Sequence, residues 1–422
     1  MNQSYLKMSK DELKAQYDAV LTEYKEIKAK GLNIDMSRGK PGSDQLDISD
    51  DMLEVFQDGN FKTEAGFDVR NYGLLQGIPE CQKLFGELLG VEPQNIIVGG
   101  NSSLSLMYDY VNQCMFLGAG FTPWSQQGKV KFLCPCPGYD RHFAICESLG
   151  IEMINIKMTA NGPDVDEIEE YVKDPMVKGM FVVPKYSNPQ GITFSAETVK
   201  RIAELTPAAS DFRIIWDNAY IVHDLTEKSD DLLNIFTVLP ERNKNMVIEV
   251  TSTSKISYPG AGVSCLASSE ENIKEILKRL TVQSISYDKL NMLRHVKYFK
   301  NLDGIKAHMQ KHAKILKPKF DAVIDTLNAD LSGLDIAEWN EPNGGYFISL
   351  DVTGGSASRV GVLCKEAGVT LTNVGATFPY GKDPSDSNIR IAPTFPSADV
   401  LKQAVKVLTV SVRLACLENL MK

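Results

Sequence analysis

No stretch of this sequence approaches the roughly 18 consecutive apolar residues that a membrane-spanning helix requires, so no membrane partner is expected. Positive charge is in short supply as well: 45 basic against 54 acidic side chains leave a net charge of −9. That balance argues against nucleic acid as a partner, and none is expected. The eight cysteines show no regular disulfide framework. Cys134 and Cys136 flank a proline but lack a matching second pair, so no metal site is expected. The segment from Met1 to Met8 has no apolar core of the kind a secretory signal carries. Reduced thiols and a cytoplasmic location are the expectation. No Gly-x-Gly-x-x-Gly loop follows a strand and no Walker-type loop occurs, which leaves nicotinamide and nucleoside triphosphate chemistry without support. Internal repeats and low-complexity stretches are also absent.

What remains is an ordinary globular composition, 43% hydrophobic and 23% charged, in a chain of 422 residues that can bury a large core. Ser9 and Glu12 form a capping-box pattern ahead of an apolar stripe (Leu13, Tyr17, Val20, Leu21, Tyr24, Ile27) that predicts a helix ending before Gly31. A second helix is expected from Pro79 to Gly90. From about residue 95, short apolar runs at 96–98, 130–133, 180–183, 213–216 and 246–250 alternate with helical stretches. This alternation predicts a largely parallel sheet with helices on both faces, whose ligands gather at the carboxyl ends of the strands. Beyond residue 270 the chain reads as helical and charge-rich to 329, and there His308 and His312 are expected on a solvated, lysine-rich face. Strands are expected at 346–351 and 388–392, and a final helix from Ser397.

Lys255 is the residue that carries the functional reading. It follows the apolar run 246–250 and the hydroxyl cluster Thr251-Ser-Thr-Ser254, and it precedes a loop containing Gly260 and Gly262. A lysine there is placed to form a Schiff base beside a phosphate held by hydroxyls, as in a pyridoxal phosphate (PLP) site. Asn188 and Asp217 also fall just past strand candidates. Asp217 suits pairing with a pyridinium nitrogen, since an opposite charge favours the protonated form. Asn188 and Tyr220 suit hydrogen bonds to the ring oxygen. Val98-Gly-Gly-Asn-Ser-Ser-Leu104 places glycines and hydroxyls at a helix start, a ready phosphate cradle, which makes Ser102 and Ser103 candidates alongside Ser252 and Ser254. Each residue alone reads more simply as a turn, a cap or a packing residue.

Seven segments in order change that reading, because over most of its length the chain resembles the fold type I PLP-dependent aminotransferases of classes I and II. They are Arg70-Asn-Tyr-Gly73, Pro137-Gly-Tyr-Asp-Arg141, Ser187-Asn-Pro-Gln-Gly191, Asp217-Asn-Ala-Tyr220, Ser252-Thr-Ser-Lys255, Asn343-Gly-Gly-Tyr-Phe347 and Asn388-Ile-Arg-Ile391. Ser37-Arg-Gly-Lys-Pro-Gly42 and Asn101-Ser-Ser103 narrow the likeness to a bacterial aspartate aminotransferase subgroup, some of whose relatives are labelled alanine–glyoxylate aminotransferases.

The resemblance implies an α/β fold: a large domain with a mainly parallel seven-stranded sheet between helices, and a smaller α+β domain. The chain is expected to divide into an N-terminal arm (1–45) that is part of the small domain, a large PLP-binding domain (46–300) and a C-terminal small domain (301–422). The resemblance also implies a homodimer with shared active sites, in which Tyr72 reaches the neighbour's phosphate. Tyr139 would stack on the ring, Asn101 would join the cofactor contacts, Arg390 would grip the substrate α-carboxylate, and Gly39 would border it. The implied reaction is ping-pong transfer between L-aspartate and 2-oxoglutarate, through catalytic Lys255, Asp217 and Tyr220. Another amino acid and keto acid pair, β-elimination and decarboxylation are the alternatives. A dicarboxylate needs a second cation, for which Arg38 is preferred over Lys40, Lys289 and Arg294. One departure stands out: where many class I enzymes carry a phosphate-binding arginine, this chain has Gly262.

Overall fold

The computed structural model describes residues 3–422; Met1 and Asn2, which open the segment read for a signal, lie outside that range. The strands in chain order are β1 (Ile34–Met36), β2 (Ile96–Val98), β3 (Lys131–Cys136), β4 (Glu152–Thr159), β5 (Gly162–Pro163) and β6 (Val177–Val182). They continue with β7 (Arg213–Asp217), β8 (Val247–Ser252), β9 (Ser264–Ala267), β10 (Ala337–Trp339), β11 (Ile348–Val352), β12 (Val369–Leu371) and β13 (Asn388–Ile391). The helices begin with α1 (Lys10–Lys28), α2 (Ser43–Leu46), α3 (Pro79–Leu89), α4 (Ser103–Phe116), α5 (Asp140–Ser148) and α6 (Val165–Tyr171). The later ones are α7 (Ala196–Ala203), α8 (Glu270–Gln283), α9 (Lys289–Phe299), α10 (Leu302–Leu331), α11 (Ala357–Glu366) and α12 (Ala398–Leu420).

The large sheet runs β2-β9-β8-β7-β6-β3-β4-β5. Pairings from β8 through β4 are parallel, while β9 runs against both β2 and β8. The sheet thus has eight strands rather than seven, the extra one being β5, two residues turned back against the end of β4. The interior strands β6, β7 and β8 are buried at every position, as a sheet covered on both faces demands. On one face α4 and α8 pack Leu106, Val111, Ile273 and Ile276 against Ile215 and Ile248. On the other, β6 and β7 residues such as Met180 and Ile214 meet Val199 and Ile202 of α7.

A second core gathers α1, α10, α11 and α12 around β11 and β13. There β1 pairs in parallel with β12, so residues 34–36 are hydrogen-bonded to residues 369–371. The capping box forms as its pattern predicts: Ser9 accepts from the Glu12 amide, and Glu12 accepts from the Ser9 amide at 2.7 Å.

The expected solvated face at His308 and His312 is wrong. Both side chains are buried: Lys306, Lys311 and Lys314 of α10 are exposed, while these imidazoles pack beneath the loop that carries Lys255. All eight cysteines are buried and free of disulfides.

Candidate active site

Strands β8, β7, β6 and β3 are consecutive in the sheet and parallel, so their carboxyl ends share one edge. Asp217 closes β7, while Lys255, Asn188 and Tyr139 follow β8, β6 and β3. The topology therefore gathers four residues that are far apart in sequence.

Asp217 is buried. Its Oδ2 lies 3.0 Å from Nε2 of His142, and its Oδ1 is fully enclosed without a hydrogen-bond partner among the described residues. A buried carboxylate oxygen lacking a donor is costly, which leaves room for a donor that arrives with a ligand. The pyridinium N–H of PLP meets that need. His142 lies one helical turn beyond Tyr139 on α5, stacked on Phe181 with ring centroids 4.6 Å apart and edge-on to Tyr139 at 4.9 Å. The Asp217 carboxylate is thereby held by an imidazole that is itself wedged between two aromatic rings.

Lys255 Nζ lies 5.0 Å from the centroid of the Tyr220 ring and 5.8 Å from that of Tyr346. Burial pushes its pKa down and Asp217 pulls it partly back, which raises the fraction of neutral, nucleophilic amine. The Tyr220 hydroxyl is driven well above its ordinary value by burial, then by Tyr139 and Asp217, with Arg390 opposing. These groups therefore occupy one electrostatic neighbourhood.

Four imidazoles pin the lysine loop. His223 Nε2 lies 3.3 Å from the Lys255 carbonyl and His308 Nε2 2.8 Å from that of Ile256. His295 donates from Nδ1 to the Asn291 carbonyl, so its neutral form accepts at Nε2 from Ser257, 2.8 Å away. His312 backs His308 at 3.2 Å.

The phosphate candidates converge. Ser252 Oγ donates to Ser254 Oγ at 3.1 Å, and Ser254 Oγ donates to the backbone carbonyl of Asn101 at 3.0 Å. Ser102 caps α4 without a side-chain bond and Ser103 opens it, leaving both hydroxyls and the helix N-terminus free to meet an anion. The Asn101 amide is committed to the Pro259 carbonyl at 3.3 Å. At Gly262 an added Cβ would point to within 3.3 Å of the Ser254 amide, so a side chain there would enter this cradle.

Arg390 lies in β13, buried over the Phe347 ring at 4.8 Å. It donates from Nη1 to Asp140 (2.9 Å) and Asn188 (3.2 Å), and from Nε to Thr372 (3.3 Å). Its Nη2 has no partner among the described residues, leaving one prong of the fork for a carboxylate. Gly39 approaches Phe347 so closely that a Cβ would sit 2.4 Å from Phe347 Cζ.

Of the four distal-carboxylate candidates, Lys289 is buried and donates to Ser286, Arg294 is tied to Asn291 and the Ala261 carbonyl, and Lys40 lies 4.0 Å over the Phe395 ring. Arg38 is exposed, and its side chain makes no hydrogen bond or ion pair with the described residues. Tyr72 stands 74% exposed, turned away from its own chain's core. His142, Asp140, Tyr346 and Thr372 were not among the sequence candidates. The signal available for His142 was its one-turn spacing from Tyr139, and Asp140 lies within the segment 137–141 that carries the resemblance, where no role was assigned to it; Thr372 offered none.

A family model described as aspartate amino-transferase matches residues 8–422. The chain is 44% identical to a putative aminotransferase of Mycolicibacterium smegmatis, over 99% of both chains. It is 43% identical to an aspartate aminotransferase of Corynebacterium glutamicum, over 96% of this chain and 94% of that one. The crystal structure of an aspartate transaminase from Corynebacterium glutamicum superimposes with a TM-score of 0.97 at 42% identity, covering 99% of each chain. The α-aminoadipate aminotransferase LysN of Thermus thermophilus shares the fold at 17% identity, with a TM-score of 0.74 over 93% of this chain and 95% of that one.

Proposed function

Since the chain belongs to the aspartate amino-transferase family, among the fold type I PLP-dependent aminotransferases, we propose that it transfers the amino group of L-aspartate to 2-oxoglutarate by a ping-pong mechanism. The observation that carries the cofactor assignment is the buried, unpartnered Oδ1 of Asp217 in the electrostatic reach of Lys255. PLP, when bound, supplies an electron sink for charge developing at the substrate α-carbon.

The chain's own residues do the rest. Lys255 would tether the cofactor through Nζ and, when its amine is free, would hold or move a proton at the substrate α-carbon. Asp217 Oδ1 would accept from the pyridinium and keep that nitrogen protonated, with His142 fixing the carboxylate through Oδ2. Tyr139 covers the ring, and Asn188 and Tyr220 address its oxygen. Ser102, Ser103, Ser252, Ser254 and the amides opening α4 hold the phosphate. Arg390, braced by Asp140 and Asn188, takes the α-carboxylate with its free Nη2. Arg38 reads the distal carboxylate.

The exposed Tyr72 completes the site of a partner subunit in a homodimer, and the division at residues 45 and 300 belongs to the same reading. The identity with a named aspartate aminotransferase supports the choice of donor. Borohydride reduction of the PLP-loaded protein followed by peptide mass mapping tests the tether. A phosphopyridoxyl adduct on the Lys255 peptide, absent in Lys255→Arg, is expected. An adduct on another lysine would overturn the assignment.

A further inference from the structure

Side chains alternate across a strand, so the residues flanking Asp217 belong to the opposite face of the sheet. Trp216 and its register partner Glu249 lie on that face and, with Asn218, line a cavity of about 1130 Å³ between the sheet and α10. That volume lies just above the roughly 300–1,000 Å³ of ordinary small-molecule pockets. Much of the wall is apolar: Leu88, Ile221, Leu225, Leu232, Ile235 and Met309 contribute. None of the PLP or substrate candidates lines it.

The floor is polar and incompletely satisfied. Glu249 is 3% exposed and has no cation within ion-pair distance among the described residues. It accepts one hydrogen bond, from Asn218 Nδ2 at 2.8 Å. Asn218 is equally buried, and its Oδ1 has no partner among the described residues. Lys185, the buried cation of the wall, is committed elsewhere. It donates to the Ile221 carbonyl (3.1 Å) and Ser229 (3.0 Å), and it lies 3.3 Å from Asp224 Oδ1.

We propose that this cavity is a second small-molecule site, which takes an organic cation: an ammonium group carried on an apolar body. The ammonium supplies N–H donors and the positive charge that Glu249 lacks, while the body covers the aliphatic wall. Lys306, Lys314 and Lys317 of α10 also line the wall, but none comes within ion-pair distance of the Glu249 carboxylate, so an anion at the floor would meet a buried acid with no cation paired to it. A neutral hydroxyl would satisfy an acceptor but supply no charge to hold Glu249 in its ionised form. Burial pushes the Glu249 carboxyl up to about 8, and a cation seated beside it favours the ionised form. The inference is independent of the amino donor assigned above.

The test uses the PLP-loaded protein and three probes of one length: N,N-dimethylhexylamine, hexan-1-ol and hexanoate. A tertiary amine cannot form a Schiff base with PLP, so its effect reports this cavity and not the cofactor. Calorimetry and thermal melting should show the amine binding and stabilising, the alcohol binding more weakly, and hexanoate not binding. Glu249→Gln keeps the shape and the Asn218 contact while removing the charge, and should weaken the amine by about tenfold or more. Ala313→Trp, on the α10 wall, should exclude amine and alcohol together. Both variants should retain the visible cofactor band. Amine binding no tighter than alcohol, or undiminished by either substitution, would overturn the proposal.

Discussion

Asp217 has one oxygen on His142 and one enclosed and free, so its removal should strip both the pyridinium partner and the reason for His142's position. Hydrogen bonds to charged groups contribute about 1.5–3 kcal/mol, so Asp217→Ala should slow the half-reaction with aspartate by roughly 10- to 150-fold. Single-turnover absorbance would measure this, and an unchanged rate would remove Asp217 from its role. Arg38→Ala should lower kcat/KM for aspartate far more than for alanine as donor, by about tenfold or more. Equal losses would leave Arg38 as a loop brace. Lys255, Asp217 and Asn188 were legible as single residues because a strand run followed by hydroxyl, Asn-Pro or Asp-Asn chemistry can be read locally. Thr372 was not legible, nor was Asp140, whose ion pair with Arg390 bridges 250 residues of sequence. Contacts of that kind exist only once the chain has folded.

Among the elements, the strands of the parallel core announced themselves by buried, β-branched runs, and β7 was placed to within a residue. Strand β4 went unread: Glu152-Met-Ile-Asn-Ile-Lys alternates polar and apolar residues and sits near the sheet's edge with mixed exposure. Strand β9, four residues long and antiparallel, was absorbed into the loop after Lys255. Helix α10 was foreseen, but its lysine-rich composition concealed the buried histidine face, since composition averages over both sides of a helix. The segment carrying Gly39 offers an element-level prediction. A Cβ there would strike Phe347, whose ring supports Arg390. Gly39→Ala should therefore raise KM for aspartate and alanine alike, because both present the same α-carboxylate. Steady-state kinetics with the two donors would show it, and a loss confined to aspartate would contradict this geometry.

Taken whole, the molecule buries all five of its histidines. Burial lowers the pKa of His223 and His308, and depresses His295 and His312 to about 4. The unfolded chain therefore binds protons that the fold excludes. This contribution to stability is complete above the ordinary imidazole value of 6.5 and is lost as pH falls toward about 4. Glu249, pushed up to about 8, and Asp109 and Asp351, also raised by burial, work in the opposite direction, but three carboxyls face four imidazoles. The melting temperature should accordingly fall between pH 6.5 and roughly 5, before most carboxylates titrate. A flat profile across that interval would contradict the account. Three of these histidines contact the loop that carries Lys255, so acid should release the cofactor along with the fold.

The central claim, that this site runs both halves of an aspartate transamination, is open to one spectroscopic titration. The PLP-loaded protein is mixed with L-aspartate in the absence of any keto acid, and 2-oxoglutarate is then added. Loss of the visible cofactor band to a near-ultraviolet pyridoxamine phosphate band, and its return with 2-oxoglutarate, are expected. A visible band that aspartate leaves untouched would contradict the assigned donor, and no band after loading with PLP would contradict the role of Lys255.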